Sequence, residues 1–370
     1  MESLGERIDR LLAGAPYGLP PEERSVVLLE MLKDELEYAC ERNVGVQNYV
    51  RHWPVNFRHA RRIADLPYLP VGLLKAQPPL SLVEKGEVKR TLTSSSTTGQ
   101  QPSRIVLDSP TARRMTKGVV VIVQDFIGTT RRPYLVVDVP GSVRGGVELG
   151  ARGAAIQGLQ PFATEVTFCL SQGTQGELRL DLNKVVEFAE SRRESPVLVY
   201  GFTYILWNHL VKPLLAEGIR LDMPKVHILH SGGWKRLQDE AVGKQAFNEG
   251  LARVFGCSPD CVIDFYGMVE NVGIIYPDCP AGNKHVPGFG EVIVRNPLTL
   301  EPVGGGEQGF VQVCSVLPTS FPGHLLLTED IGEVVADDGC LCGRRGICFR
   351  FVGRAPKAEV RGCGNIDSRR

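Results

Sequence analysis

The middle of the chain alternates short β-rich runs with segments of helical pattern, and this alternation constrains the fold most strongly. The β-rich runs cover residues 91–93, 134–139, 197–200, 226–230 and 262–265. Residues 182–191 illustrate the helical segments, because Val185, Val186, Phe188 and Ala189 form one apolar face. Strands that alternate with helices favour an α/β fold of layered, mainly parallel sheets.

The two ends of the chain have a different pattern. Residues 21–42 have apolar positions at helical spacing, and prolines make residues 66–72 an extended connector. After about residue 290 the helical pattern fades, and turns separate strand-like runs at 291–295, 309–314 and 348–352. We therefore predict an N-terminal helical and extended segment (1–90) packed on an α/β core (91–289), followed by a small β-rich subdomain and tail (290–370).

Composition excludes several classes of partner. The 370 residues include 42 basic and 42 acidic side chains, so no net field attracts nucleic acid or an acidic membrane. Residues 1–6 are polar and do not resemble a secretory signal, and the apolar run 118–127 is too short to cross a bilayer. We expect a soluble cytoplasmic protein that binds no nucleic acid and does not insert into membranes.

A hydroxyl-rich stretch at residues 93–102 is the most specific local signal. Six consecutive Ser and Thr residues precede Gly99, and these side chains compete with a helix for backbone groups. A loop of this kind can surround triphosphate oxygens with hydroxyl and N–H donors. It lacks the Gly-Lys pair of a P-loop, and a solvated Ser/Thr linker is an equally good interpretation of the composition alone.

Three further motifs follow the hydroxyl-rich stretch in order. Residues 264–270 place an aromatic ring and a carboxylate directly after a strand, at the sheet edge where α/β folds bind ligands. A Thr-Glu-Asp segment lies at 328–330, and a Gly-Arg pair lies at 353–354 with Lys357 nearby. Each of these motifs alone is common turn chemistry.

In this order, the motifs resemble the adenylate-forming superfamily of acyl-CoA synthetases, luciferases and adenylation domains. The chain looks most similar to its acyl-protein synthetase (LuxE-like) branch, the synthetase component of fatty acid reductase. This closer resemblance rests on Leu-Pro-Val-Gly-Leu-Leu-Lys (69–75), Gly-Phe-Thr (201–203), His-Ser-Gly-Gly-Trp-Lys (230–235), Tyr-Gly-Met-Val-Glu (266–270) and Arg-Gly-Cys (361–363). It implies the large N-terminal domain of adenylate-forming enzymes as the fold.

The resemblance also implies ATP and Mg²⁺ as cofactors and gives the site residues roles. Glu270 would coordinate Mg²⁺, and Tyr266 would lie against adenine. Asp330 and Arg354 would bind the ribose. The remaining nucleotide-binding positions, for the phosphates and for close backbone approach, are Ser94, Ser95, Ser96, Thr97, Thr98, Gly99, Gly232, Gly233, Gly267, Met268 and Lys357.

The sequence departs from the superfamily pattern at two positions. The lysine that usually follows the loop proline is absent, because Pro102 precedes Ser103 and Arg104. Arg104 could supply the missing phosphate-facing charge, although guanidinium and ammonium are not interchangeable. Val269 replaces the usual Thr before Glu270.

The resemblance further implies a thiol as acyl acceptor. Superfamily members continue into a small mobile domain with a catalytic lysine, whereas this chain ends sixteen residues after Arg354, so we expect that domain to be absent. Cys363 would take the acyl group from the adenylate, with Arg354, Lys357 and Arg361 lowering the pKa of the thiol. A surface cysteine in a tail is the alternative.

Clustered cysteines predict a metal site. Cys279 and His285 lie in a turn-rich segment, and Cys340 and Cys342 follow in another. Three thiolates and one imidazole would complete a closed tetrahedral shell for a structural Zn²⁺. Unpaired thiols are the alternative, and Cys348 is a substitute ligand.

The acid-binding residues are the least specific part of the prediction. Phe202, Tyr204, Trp207 and Trp234 are candidates to line an acyl pocket, although such aromatic residues are more often core. The favoured function is activation of a fatty acid to acyl-AMP, transfer to Cys363, and delivery to a partner reductase or carrier protein. A ligase that delivers to coenzyme A or an amine, and a catalytically silent nucleotide-binding scaffold, remain alternatives; oligomeric state is open.

Overall fold

Helices and strands alternate along the chain. The computed structural model describes residues 2–94, 101–143, 148–174, 176–234 and 240–355. The α-helices in these ranges are α1 (Leu4–Leu11), α2 (Pro21–Arg42), α3 (Val44–Arg51), α4 (Ser109–Ile127), α5 (Ala151–Leu159), α6 (Leu182–Glu190), α7 (Thr203–Leu206), α8 (Lys212–Ala216) and α9 (Lys244–Phe255). The first eight strands are β1 (Leu69–Pro70), β2 (Arg90–Thr93), β3 (Arg104–Leu107), β4 (Arg132–Val136), β5 (Glu148–Gly150), β6 (Ala163–Phe168), β7 (Leu170–Gln172) and β8 (Leu178–Leu180). The other strands are β9 (Val197–Phe202), β10 (Val226–Ser231), β11 (Val262–Gly267), β12 (Ile275–Pro277), β13 (Lys284–His285), β14 (Gly290–Arg295), β15 (Gln308–Ser315), β16 (Leu325–Ala336) and β17 (Cys348–Arg354).

A mainly parallel sheet forms the centre of the molecule, in the order β12-β11-β10-β9-β4-β6. Every pairing from β11 to β6 is parallel, and only β12 runs antiparallel. All six residues of β9 are buried, as expected for a parallel strand that is covered on both faces. The predicted α/β class is therefore confirmed, and four of the predicted runs fall on β4, β9, β10 and β11.

The run at 91–93 belongs elsewhere. It lies in β2, which pairs antiparallel with β3 and parallel with β5 in a separate three-stranded sheet. The antiparallel hairpin of β2 and β3 brings residues 94 and 101–103, which flank the hydroxyl-rich loop, to one end of this small sheet.

A second, mainly antiparallel sheet has the order β13-β17-β16-β15-β14. Two of its strands come from outside the predicted β-rich segment, since β1 pairs with β16 and β13 pairs with β17. The expected extended connector at 66–72 thus contains a paired strand and then enters a 3-10 turn, Val71–Lys75. The predicted domain boundaries remain predictions.

The N-terminal helices pack on this second sheet. Helix α2 begins after Pro20 with acidic residues in its first turn, which suit the positive end of the helix dipole. Its buried face includes Leu28, Leu32 and Leu36, which belong to one hydrophobic cluster with residues of β14, β15 and β16. Val26, although apolar, is exposed.

Helix α4 holds the turn that follows β11. A Cβ added at Gly118 would lie 2.4 Å from the carbonyl oxygen of Gly273, so only glycine permits this approach. The apolar run 118–127 is the C-terminal half of this helix. Across the described ranges, no helix has the combined length and apolarity needed to traverse a bilayer.

Candidate active site

The two sheets meet where a tyrosine of β11 contacts an aspartate of β16. The Tyr266 hydroxyl donates to Asp330 Oδ2 at 2.8 Å, and Arg354 Nε lies 3.4 Å from Asp330 Oδ1. Asp330 and Arg354 are cross-strand partners in β16 and β17, and the Asp330 backbone N–H donates to Thr328 Oγ1. Burial raises the pKa of Asp330, while Tyr266 and Arg354 oppose this rise. The carboxylate is thus fixed in place and partly neutralised.

The Tyr266 ring lies in an aromatic group. Phe351 stacks on it with centroids 5.0 Å apart and an interplanar angle of 19°, and Tyr276 lies 5.8 Å away at 23°. Met268 Sδ is 3.8 Å from the Tyr266 hydroxyl. Phe351 is 39% exposed. An adenine could therefore reach this face of Tyr266 only if the Phe351 side chain turned away, and Phe351 itself offers an accessible ring.

Glu270 is buried directly after β11. Its pKa is raised by burial, and this rise is opposed by the Ser103 hydroxyl and by the positive charges of Arg354 and Lys75. These three groups belong to the segment before β3, to β17 and to the 3-10 turn after β1. A buried carboxylate in such surroundings is a suitable ligand for a hard cation.

Two hydrogen bonds connect the residues that flank the hydroxyl-rich loop. The Ser103 N–H donates to Ser94 Oγ at 2.8 Å, and the Ser94 N–H donates to the Ser103 carbonyl at 3.1 Å. These hydrogen bonds join the residues on the two sides of the loop. Its predicted phosphate-binding residues Ser95, Ser96, Thr97, Thr98 and Gly99 lie outside the described residues.

Arg104 has a partner on the small three-stranded sheet. Its guanidinium forms an ion pair with the Glu148 carboxylate of β5. The predicted phosphate-facing charge is thus held on the small three-stranded sheet, with about a third of the side chain exposed.

Gly232 and Gly233 follow β10 in conformations that suit glycine. Their φ angles are +87° and +56°. A Cβ at Gly232 would lie 3.3 Å from the Phe202 ring, which is buried at the end of β9. The centroids of the Phe202 and Tyr204 rings are 6.5 Å apart.

A second aromatic group lies between α7 and α9. Trp207 begins a π-helical segment, Trp207–Val211, and its ring is 5.8 Å from Phe247 and 6.4 Å from Trp234. A Cβ added at Gly250 would lie 2.7 Å from Trp207 Cζ3, so the glycine makes room for the indole. π-Helical segments often occur at functional sites, which is consistent with either a pocket wall or an irregular core.

Charged and polar side chains form a connected polar network next to this aromatic group. His230 Nδ1 lies 3.0 Å from Thr203 Oγ1 and 3.6 Å from Asp264 Oδ1. Lys284 Nζ binds Asp264 at 2.9 Å and Asp278 at 3.1 Å. The His230 pKa is lowered by burial, which favours a neutral imidazole. This polar network links strands β10 and β11 to the segment that carries the candidate metal ligands Cys279 and His285.

The four predicted metal ligands converge. The ligand atoms of Cys279, His285, Cys340 and Cys342 all lie within 4.8 Å of one another. The Sγ atoms of Cys279 and Cys340 are 3.9 Å apart, and Cys342 Sγ is 3.2 Å from His285 Nε2. This donor set fits a tetrahedral ion such as Zn²⁺. Cys348, the substitute ligand, is not part of this group.

Comparison with known proteins assigns the family. The sequence model described as "Acyl-protein synthetase, LuxE" matches residues 2–370. The chain belongs to the acyl-protein synthetase family.

Two curated relatives share part of their length with this family member. The long-chain-fatty-acid–luciferin-component ligase of Vibrio harveyi is 29% identical over 139 residues, which are 37% of this chain and 35% of the ligase. The ligase of that name from Aliivibrio fischeri is 32% identical over 111 residues, 30% of this chain and 29% of the ligase. Each match thus spans about a third of the relative's own length.

Solved structures of other proteins show the same fold as this chain. An open conformation of 2-hydroxyisobutyryl-CoA ligase, in complex with 2-HIB-AMP and CoA, has a TM-score of 0.70 at 16% identity. The match covers 92% of this chain and 76% of that one. The post-adenylation state of the same ligase has a TM-score of 0.69, also at 16% identity, and is covered over 69% of its length.

Most of the site residues predicted from the sequence fall into three groups. Around the junction of the sheets lie Ser94, Tyr266, Gly267, Met268, Glu270, Asp330 and Arg354, and Gly232 and Gly233 follow the neighbouring strand β10. The aromatic candidates and the cysteine and histidine ligands form the other two groups. Lys357 and Cys363 lie outside the described residues. No role was predicted from the sequence for Lys75, Phe351 or His230. Lys75 is nevertheless the last residue of one segment that carried the resemblance, and His230 is the first residue of another.

Proposed function

We propose that this chain is an ATP-dependent acyl-activating ligase that converts a carboxylic acid into an acyl-adenylate at the junction of the two sheets. One observation carries the proposal. Residues from widely separated segments, namely the loop base at Ser94, the Tyr266–Glu270 turn, Asp330 and Arg354, meet within one junction. Membership of the acyl-protein synthetase family supports the same activity.

In the proposed reaction, an oxygen of the substrate carboxylate attacks the α-phosphorus of ATP. The bond from that phosphorus to the bridging oxygen breaks, and the electron pair leaves with pyrophosphate. Asp330, held by Tyr266 and Arg354, would accept hydrogen bonds from the ribose hydroxyls. Glu270 would hold Mg²⁺, which would neutralise phosphate charge when bound.

The adenine would use the exposed aromatic surface beside this aspartate. Phe351 covers one face of Tyr266, so either Phe351 forms the stacking platform or it turns aside. The glycines at 232 and 233 would let the backbone approach the nucleotide.

We further propose that the acid is a fatty acid and that the second aromatic group, with Phe202 and Tyr204, contributes to its pocket. The named substrate of the two curated relatives is a long-chain fatty acid. Apolar ring surfaces at Trp207, Trp234 and Phe247 suit an alkyl chain.

The acyl group would then pass to Cys363 and from there to a reductase or carrier protein. Attack of the thiolate on the acyl carbonyl releases AMP and leaves a thioester. A cytoplasmic location remains a prediction from sequence.

The Cys363→Ser variant tests the thioester step. With radiolabelled fatty acid and ATP, we expect covalent labelling of the unmodified protein and at least about a tenfold loss in the variant, because an oxygen ester forms far less readily than a thioester. Cys257→Ser, which changes an incompletely buried thiol that has no predicted role, is the matched control. Equal labelling of unmodified protein and Cys363→Ser would exclude Cys363 as the acceptor and favour delivery to a diffusible thiol or amine.

The cysteine and histidine group would hold a structural Zn²⁺. The donor atoms of Cys279, His285, Cys340 and Cys342 supply a closed shell of three sulfurs and one nitrogen. Such a site would join the segment before β13 to the segment before β17.

A further inference from the structure

The phosphate-binding loop lacks the lysine that an ammonium–phosphate contact would need. Pro102 is followed by Ser103 and Arg104, and the Arg104 guanidinium forms an ion pair with Glu148 on β5. A triphosphate brings several negative charges into one small volume, and cations beside it are the usual means of stabilising them. The proposed chemistry therefore calls for another positive charge at the junction.

Lys75 lies at this junction although it comes from the N-terminal segment. Strand β1 pairs with β16 in parallel, with Leu69 opposite Leu326, and the chain then turns through Val71–Lys75. Leu74 is buried and anchors the turn. Lys75 Nζ reaches within 4.0 Å of the Glu329 carboxylate, the residue before Asp330.

The surroundings leave the ammonium able to bind a ligand. Its side chain is 31% exposed and that of Glu329 is 58% exposed, so the ion pair is loose and solvated. On the other side, Lys75 acts electrostatically on the buried carboxyl of Glu270 and lowers its pKa. Lys75 thus pairs with a residue of the strand that carries Asp330 and also acts on the charge of the candidate Mg²⁺ ligand.

We propose that Lys75, rather than Arg104, is the cation that faces the β- and γ-phosphates of ATP. This inference rests on the proposed function. As the bond between the α-phosphorus and the bridging oxygen breaks, negative charge grows on the departing pyrophosphate, and the Lys75 ammonium stabilises it without transferring a proton. Arg354 would have a different role, because it lies beside Asp330 and would contact the ribose, which ATP and AMP share.

The test compares ATP with AMP. Calorimetric dissociation constants are measured, with Mg²⁺ present, for the unmodified protein and for Lys75→Gln, Lys75→Arg, Arg104→Gln and Lys85→Gln. We expect Lys75→Gln to weaken ATP binding roughly ten- to hundredfold, the range for a lost hydrogen bond to a charged group, and to change AMP binding less than about twofold. Lys75→Arg keeps the charge and should stay within about fivefold of the unmodified protein. Lys85→Gln removes an exposed lysine of the same N-terminal segment and should change neither constant.

Three results would overturn the assignment: unchanged ATP binding in Lys75→Gln, equal loss of ATP and AMP, or a triphosphate-selective loss in Arg104→Gln instead. Thermal unfolding of each variant identifies any loss of folded protein, and Lys75→Arg provides a second variant if Lys75→Gln unfolds. Failure of the unmodified protein to bind either nucleotide would overturn the proposed function together with this inference. Normal ATP binding in both Lys75 variants would remove only the role of Lys75.

Discussion

Asp330 illustrates how a single side chain can be prepared for a ligand. It is buried at the end of a network in which Tyr266 donates to one carboxylate oxygen and Arg354 approaches the other. Burial alone would favour the protonated acid, but these two partners favour the charged form. An ionised, oriented carboxylate can accept hydrogen bonds from the two hydroxyls of a ribose without first reorganising.

This aspartate could be predicted from the sequence, whereas its surroundings could not. The order of motifs drew attention to Tyr266, Asp330 and Arg354, because each belongs to a short local pattern. The stacking of Phe351 on Tyr266 depends on the pairing of β16 with β17 and on the position of β11, which no local pattern specifies.

Glu35 supplies a prediction that concerns stability rather than ligand binding. It is fully buried on α2, and neither carboxylate oxygen accepts a hydrogen bond from a described residue. Burial raises its pKa well above the usual value, Asp34 adds to the rise, and Arg114 and Arg7 oppose it. Because the folded-state pKa lies above the unfolded one, the folded state binds the extra proton, and stability is lost as the pH rises through the interval between them.

The Glu35→Gln variant removes this proton linkage. We expect it to be more stable than the unmodified protein at pH 8, by about 1–3 kcal/mol, with a smaller difference at pH 5. Urea unfolding at the two pH values measures the difference, and Glu41→Gln, at an exposed position of the same helix, is the matched control. A gap between Glu35→Gln and unmodified protein that does not widen with pH would contradict this account.

At the scale of elements, apolar runs and polar strands were not equally predictable. Strand β9 is buried throughout in a parallel sheet and is therefore a continuous apolar run. Strands β10 and β11 are mostly buried, but His230 and Asp264 interrupt their apolar residues. Strand β16 was missed as a strand because Thr328, Glu329 and Asp330 interrupt its apolar pattern at the site. Strand β1 has only two residues, and its pairing with β16 depends on a partner more than 250 positions away.

The candidate metal site ties two loops together. Cys279 lies before β13 and His285 lies within it, whereas Cys340 and Cys342 lie before β17. Asp278 and Lys284, the neighbours of two candidate ligands, bind each other and connect to Asp264. These ion pairs connect the segment that carries Cys279 and His285 to β11.

Metal analysis tests the site at this scale. We expect about one Zn²⁺ per chain by mass spectrometry, since four converging donors complete its shell. Cys340→Ser should lose most of the metal and lower the unfolding midpoint by at least about 3 °C, because binding energy contributes to folding. Cys257→Ser should keep both metal and midpoint. A metal content near zero in protein purified without chelators is the outcome that excludes the site.

For the whole molecule, the candidate site depends on the contact between two sheets that the sequence cannot position relative to each other. Tyr266 and Glu270 come from the end of the central sheet, whereas Asp330 and Arg354 come from the second sheet. Local patterns indicated each segment, and the resemblance to a known family predicted that these segments come together in the folded protein. The proposed role of Lys75, which comes from the N-terminal segment, could be inferred only from the three-dimensional arrangement, since nothing local to residues 69–75 points to a phosphate.

The most direct test of the account is acid-dependent exchange of radiolabelled pyrophosphate into ATP. We predict exchange that requires a fatty acid and falls by at least about tenfold in Asp330→Asn, because an amide cannot replace the negative charge and full acceptor capacity of the carboxylate. Asp337→Asn, at an exposed position just after β16, should exchange like the unmodified protein. Absence of exchange with every fatty, aryl and amino acid tried, in protein that is folded, would contradict the claim that this junction forms an acyl-adenylate.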